Sequence, residues 1–261
     1  MQWRKGHMER DDEMVHQPAI LANMARSNAD EPLALHSIAR TRRFAREQEI
    51  YCQGDPRAGW YRIASGAARQ YLLRADGRRQ VVDIHLPGDF FGFAGEGHHH
   101  FSEQALVEGT LICFYPRRRI EELIDNNSEV ATQIRKCSFE TIGRLREQML
   151  ILGAITARRK VHAFLSYLCH RLSPDNAGGA TLPISRCDIA DLLGISAETV
   201  SRAFTELQER SAISLDGPRQ IRLLKPVRDP DWLSSGPISD PERAQDRQAR
   251  TGGALLLPER D

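Results

Sequence analysis

The period of apolar positions changes along the 261-residue chain. Residues 1–35 are polar and hold no sustained period, so they read as an extension with room for one short helix. From Phe44 on, short apolar runs alternate with glycine turns at Gly54, Gly66, Gly77 and Gly88. The runs lie at 60–63, 67–73, 80–86 and 111–115, and their roughly ten-residue spacing predicts a small all-β barrel or roll over 36–128. From 129 the period becomes helical. Val130, Ile134, Cys137, Thr141, Leu145, Met149 and Leu152 recur every three or four residues, which predicts one long helix, either packed on the β-roll along its surface or meeting a second copy of the chain through this stripe. Gly153 lets the chain turn, and 158–172 resumes as an amphipathic helix with Val161, Phe164, Leu165 and Leu168 inward. Beyond 225, prolines, glycines and charges predict a flexible tail.

The stretch 183–224 carries the most detailed pattern. Ser185 and Asp188 form a Ser-x-x-Asp capping box before a short helix with Ile189, Leu192 and Leu193 on one stripe. Gly194 can take the left-handed conformation that ends that helix. Ile195 can plug the core between two helices. Ser196 then caps a second helix whose Val200, Phe204 and Leu207 face inward. A strand pair follows: Ala212, Ile213 and Leu215, a turn at 216–218, then Ile221, Leu223 and Leu224. Two short helices about a glycine turn, followed by a hairpin, predict a winged helix-turn-helix that lays its second helix in the major groove of DNA.

The outward face of that second helix suits base reading. Arg202 can donate two parallel hydrogen bonds to guanine O6 and N7, and Glu198 can accept from cytosine N4. Ser201 offers a shorter polar contact and Ala197 can touch a thymine methyl, with Thr199 and Ser196 beside them. Ser185 and Arg186 are placed to meet phosphate oxygens, as are Arg219 and Arg222 of the wing. The plainer alternative is a solvated helix with an ordinary i,i+4 Glu198–Arg202 pair. Caps, glycine turn, apolar spacing and wing in one stretch argue against it.

The same residues resemble the DNA-binding end of the CRP/FNR family of bacterial transcription regulators. E-T-V-S-R at 198–202 is the recognition-helix form of the FNR and FixK branches. The CRP branch has arginine before the glutamate and glycine before the last arginine, where this chain has Ala197 and Ser201. S-R-C-D-I-A-D at 185–191 most resembles the FixK subgroup. G-D-F-F-G at 88–92, preceded by A-D-G-R at 75–78, resembles the family's cyclic-nucleotide-binding β-roll. The resemblance thus runs from about 40 to 225. It implies an α+β protein with an N-terminal cyclic-nucleotide-binding-like β-roll, a dimerisation helix over 129–153 and a winged helix-turn-helix over 154–225. Residues 226–261 form the tail. It implies a homodimer joined through Ile134, Cys137, Thr141, Leu145, Met149 and Leu152. It also implies a TTGA-type half-site read by Glu198, Ser201 and Arg202, and activation through RNA polymerase.

Departures from the family pattern bear on the ligand. Nucleotide-binding members carry glycine-glutamate after the phenylalanines, where this chain reads Gly92-Phe93. They carry an arginine-serine pair against the cyclic phosphate, whereas 98–105 has no arginine. A phosphodiester beside Glu103 with no cation would be poorly compensated, so no cyclic nucleotide cofactor is expected. An iron–sulfur cluster is not expected either: the cysteines are Cys52, Cys113, Cys137, Cys169 and Cys187, with no C-x-x-C pair. His98, His99 and His100 invite a metal, but adjacent histidines do not converge easily on one ion, and an exposed loop is the plain alternative. Cys169 beside Leu165 and Leu168 reads as a small buried hydrophobe. Cys187, in the first turn of the first reader helix, is a candidate redox-sensitive thiol, or else a bystander under that helix.

Composition narrows the rest. Hydrophobic residues make up 41% and charged residues 27%, as in globular domains, and no window approaches a membrane span. No apolar segment near the N-terminus resembles a signal peptide, so a cytoplasmic protein is expected. The net charge of +1 gives no global basic field. No nucleophile–base constellation or phosphate loop stands out, so catalytic residues are not expected. The alternative to a nucleotide-independent regulator is one gated by an unrecognised small molecule in the β-roll.

Overall fold

The computed structural model describes residues 33–93, 97–173 and 179–224. Most of the N-terminal extension and the whole C-terminal tail, 226–261, lie outside them. A short helix α1 (Leu33–Ile38) leads into eight strands: β1 (Arg40–Phe44), β2 (Glu49–Tyr51), β3 (Gly59–Ser65), β4 (Ala68–Leu73), β5 (Arg79–His85), β6 (Phe90–Phe91), β7 (Ser102–Ala105) and β8 (Thr110–Pro116). They pair antiparallel as two four-stranded sheets, in the orders β1-β8-β3-β6 and β2-β7-β4-β5. The predicted runs fall on β3, β4, β5 and β8. Gly66 shows why a turn here demands glycine: its φ is 86°, and a Cβ would stand 2.4 Å from Thr110 Oγ1.

Between the sheets lie Phe44, Tyr51, Ile63, Ala68, Phe91, Ala105 and Ile112. A second cluster, with Phe90, Leu111, Tyr115, Ile120, Val130 and Ile134, seats the helices on the outer face of the first sheet. Those helices are α1, α2 (Arg117–Asn126) and the start of α3 (Ser128–Leu152). Asn127 caps α3 by accepting from the amides of Glu129 and Val130.

Helix α4 (Ala157–Leu172) begins the DNA-reading unit, followed by β9 (Ala180–Thr181), α5 (Arg186–Leu193), α6 (Ala197–Glu209), β10 (Ile213–Leu215) and β11 (Gln220–Leu223). Strand β9 joins the predicted hairpin, so the wing is a three-stranded sheet in the order β10-β11-β9. One core runs from this unit into the β-roll: Val161, Leu165, Ile189 and Phe204 belong to the same cluster as Tyr71, Val81, Ile84 and Leu106. The reader is therefore docked on the second sheet of the β-roll.

Two aspartates stitch the units together. Asp89, in the turn before β6, takes Arg144 of α3 at 3.3 Å and also pairs with Arg171 of α4. Gln148 of α3 donates to the carbonyl of Val82 at 2.7 Å. Asp188 of α5 takes Arg69 and Arg79 from the β-roll.

Candidate nucleic-acid interface

The reader is assembled as its sequence predicts. Ser185 Oγ accepts from the Asp188 amide at 3.1 Å, and the Asp188 carboxylate accepts from the Ser185 amide at 2.9 Å, closing the capping box. Gly194 ends α5 at φ 66°. Ser196 Oγ accepts from the Thr199 amide at 3.1 Å and opens α6. Val200, Phe204 and Leu207 are buried, and Ile195 packs half-buried against the same cluster. A cap contributes about 1 kcal/mol, whereas each buried apolar side chain contributes about 1.5–3 kcal/mol. Packing, more than capping, fixes how α6 is presented.

That packing leaves one face of α6 to solvent. Glu198 and Arg202 are exposed and paired at 2.6 Å, one turn apart. Ala197, Thr199 and Ser201 are half-buried beside them, and Ser196 is exposed. An exposed i,i+4 pair is worth only about 0.3–0.5 kcal/mol. A bidentate guanine contact is worth about 1–3 kcal/mol, so DNA can draw Arg202 away from Glu198. Until then the pair holds the guanidinium close to the helix.

The flanking residues are placed less uniformly. The Ser185 hydroxyl donates to Asp188 at 2.7 Å, so its proton is committed inside the cap. The guanidinium of Arg186 lies over the Phe204 ring at 4.7 Å. It lines a cleft of about 250 Å³ with Ile189, Pro218 and Arg219. Arg222 is exposed and faces Asp216 at 3.4 Å. Cys187 is exposed, whereas burial in the α4 core pushes the Cys169 thiol up to about 11.

Helix α3 divides the residues expected at the seam between two faces. Ile134 is buried in the cluster beneath the β-roll and Cys137 packs against it, so both face their own domain. Thr141 is half-buried, its hydroxyl donating to the carbonyl of Cys137 at 2.9 Å. Ile142, Leu145, Met149 and Leu152 are instead exposed, and their 3-4-3 spacing is that of a coiled-coil seam. A stripe read at spacings of three and four drifted across two faces of one helix. Phe139, at 69% exposure, flanks the apolar row.

The interior of the β-roll is occupied by its own side chains. Glu103 is fully buried and meets His85 Nδ1 at 2.8 Å. Asp83 stands 3.5 Å from the other ring nitrogen. Burial alone would push His85 down, but the carboxylates of Glu103 and Asp83 outweigh it and carry the imidazole up to about 9. Gln70 Nε2 and the Tyr51 hydroxyl close on Glu103 at 3.3 and 3.4 Å. His99 is buried and stacks on Tyr51 with centroids 3.7 Å apart. Burial, then Arg57, lowers His99 to about 4, so it is neutral near pH 7. His98 and His100 are exposed, so the three histidines diverge. Among the described residues no group of three His, Cys, Asp or Glu side chains gathers as for a metal. Phe93 packs on Trp60 at 5.5 Å.

A capped helix-turn-helix with an exposed polar reading face, docked on a β-roll, defines a DNA-binding transcription regulator. The profile of the Crp-like helix-turn-helix domain matches residues 159–228, and that of the cyclic nucleotide-binding domain matches 41–127. The chain is 41% identical over 181 residues to the nitrogen fixation regulation protein FixK of Rhizobium meliloti, covering 69% of this chain and 80% of that protein. It is 34% identical over 193 residues to the transcriptional activatory protein AadR of Rhodopseudomonas palustris, covering 73% and 80%. The structure of FixK2 from Bradyrhizobium japonicum superposes with a TM-score of 0.66 at 34% identity, over 76% of this chain and 96% of that one. The chain belongs to the CRP/FNR family of transcription regulators, in its FixK group, and is not an enzyme.

Proposed function

We propose that the chain works in the cytoplasm as a homodimer on two-fold symmetric DNA with TTGA-type half-sites, and activates transcription with RNA polymerase without a cyclic nucleotide. The observation that carries this reading is the exposed Glu198–Arg202 pair on α6, with Ser201 between its partners. Ala197, Thr199 and Ser196 line the same end of the helix. A symmetric dimer presents two such helices, hence two half-sites one helical turn apart. The seam is the row Ile142, Leu145, Met149 and Leu152. No helix among the described residues is long and apolar enough to cross a membrane.

Independence from cyclic nucleotide rests on the β-roll interior. The buried Glu103 carboxylate, already paired with His85, lies on β7. A phosphodiester brought there would find the nearby cation, His85, already held by the carboxylates of Glu103 and Asp83. Cyclic AMP or cyclic GMP at millimolar concentration is expected to leave the melting temperature and DNA affinity of the full chain unchanged. A clear thermal shift with either nucleotide would favour the gated alternative, in which the β-roll takes a small effector.

The exposed thiol of Cys187 adds a control point beside the proposed DNA backbone contacts. Oxidation to a sulfinic acid would place negative charge against phosphate. Peroxide is expected to weaken DNA binding by the parent and spare Cys187→Ala, measured by gel shift after a timed exposure. Equal loss in both would assign the effect to another thiol, such as the exposed Cys52.

A further inference from the structure

The face of the β-roll beneath the reader carries an ionic network that reaches across to α5. Arg69, on β4, is buried. It donates to Asp188 Oδ1 at 2.6 Å and pairs with Glu47, and it also reaches Gln104. Arg79, on β5, donates to Asp188 at 2.9 Å and to Asp191 through Nε at 3.1 Å and Nη2 at 2.9 Å. Gln80 adds a bond from Nε2 to the Asp191 carbonyl at 2.6 Å. Asp188 is thus both the partner of Ser185 in the capping box of α5 and the acceptor for two β-roll guanidinium groups. Burial opposes its charge, but the Ser185 bonds and the two arginines hold its carboxyl below the usual range.

The two arginines differ in what they join. Arg69 also ties Glu47 to Gln104 within the β-roll, so its loss would disturb that domain. Every ion pair found for Arg79 crosses to α5. The contacts lie on the inward side of α5, so they leave the reading face of α6 free.

We propose that Arg79 is a positioning residue for DNA reading: through Asp188 and Asp191 it fixes how α5, and with it α6, stands on the β-roll, and so sets the half-site spacing a dimer accepts. The spacing part rests on the dimeric reading above. Acidic replacement of Arg79 turns the site against itself, because Glu47, Asp188 and Asp191 then face a fourth carboxylate with Arg69 alone to balance them. Lysine keeps the charge but loses the fork.

Full-length parent, Arg79→Lys, Arg79→Ala and Arg79→Glu are compared in two measurements. Amide exchange over 186–193 reports docking of α5. Affinity for symmetric sites lengthened or shortened by one base pair between half-sites reports positioning. Exchange is expected to quicken in the order Lys, Ala, Glu. The parent's preference for one spacing should fall on the order of tenfold in Arg79→Glu, while base preference within each half-site is unchanged. A stem-packing role alone would make Glu no worse than Ala and would overturn the ionic latch, as would unaltered exchange. Faster exchange with spacing preference intact would overturn the positioning role. A parent with no spacing preference would instead overturn the dimeric reading, and the spacing role with it. The exchange arm would still decide whether the latch exists.

Discussion

Arg202→Ala is expected to weaken binding to a TTGA-type site by about 1–3 kcal/mol per half-site and to relax preference at the guanine it reads. The side chain is exposed and its recorded partner is Glu198, so folding should hardly change. Breaking that surface pair removes only a few tenths of a kcal/mol, roughly, from the helix, and a melt separates it from the binding loss. Competition against a library varied at each half-site position measures the effect. Uniform weakening on every sequence would mean that Arg202 touches phosphate alone. Glu198→Ala should relax a different position, the cytosine whose amino group it accepts from.

A second large effect is expected at the seam. Leu145→Glu combined with Met149→Glu puts four carboxylates into a two-fold contact that is apolar in the parent. The full chain should sediment as a monomer and lose about 100-fold or more in affinity for the symmetric site, because the second reader is no longer tethered beside the first. Met149 is 72% exposed and Leu145 42%, so the isolated fold should survive. Ile134→Glu is the contrasting variant: it should unfold the junction of α3 with the β-roll, since Ile134 is buried there. A doubly acidic variant that remains dimeric would place the seam elsewhere.

The reader was legible from local chemistry because caps, the glycine turn and apolar spacing all act within a few residues. Ser185, Asp188, Gly194 and Ser196 each do what their positions imply. The proposed seam was legible only in part. Apolar periodicity marks α3 as amphipathic, yet it cannot separate the face toward the β-roll from the face toward a partner, and Ile134 and Cys137 fall on the former. Helix α2 carries a short periodic signal, Ile120, Leu123 and Ile124 at spacings of three and four, but it covers little more than one turn after three arginines and is easily read as an extension of the β-roll; β9, two residues long, gives none. Glu103 looked uncompensated because its cation, His85, lies on a different strand of the sheet. The same limit hid the latch. Asp188 is recognisable as a cap, but Arg69 lies 119 residues away in sequence and no local rule connects them.

The most direct measurement is a selection of bound fragments from random DNA by the purified full-length chain with no added effector. Enrichment of two-fold symmetric TTGA-type sites at one fixed spacing, unchanged by cyclic AMP, is the expected result. Recovery of single half-sites, of no common sequence, or of sites only when cyclic AMP is present would contradict a nucleotide-independent dimeric reader.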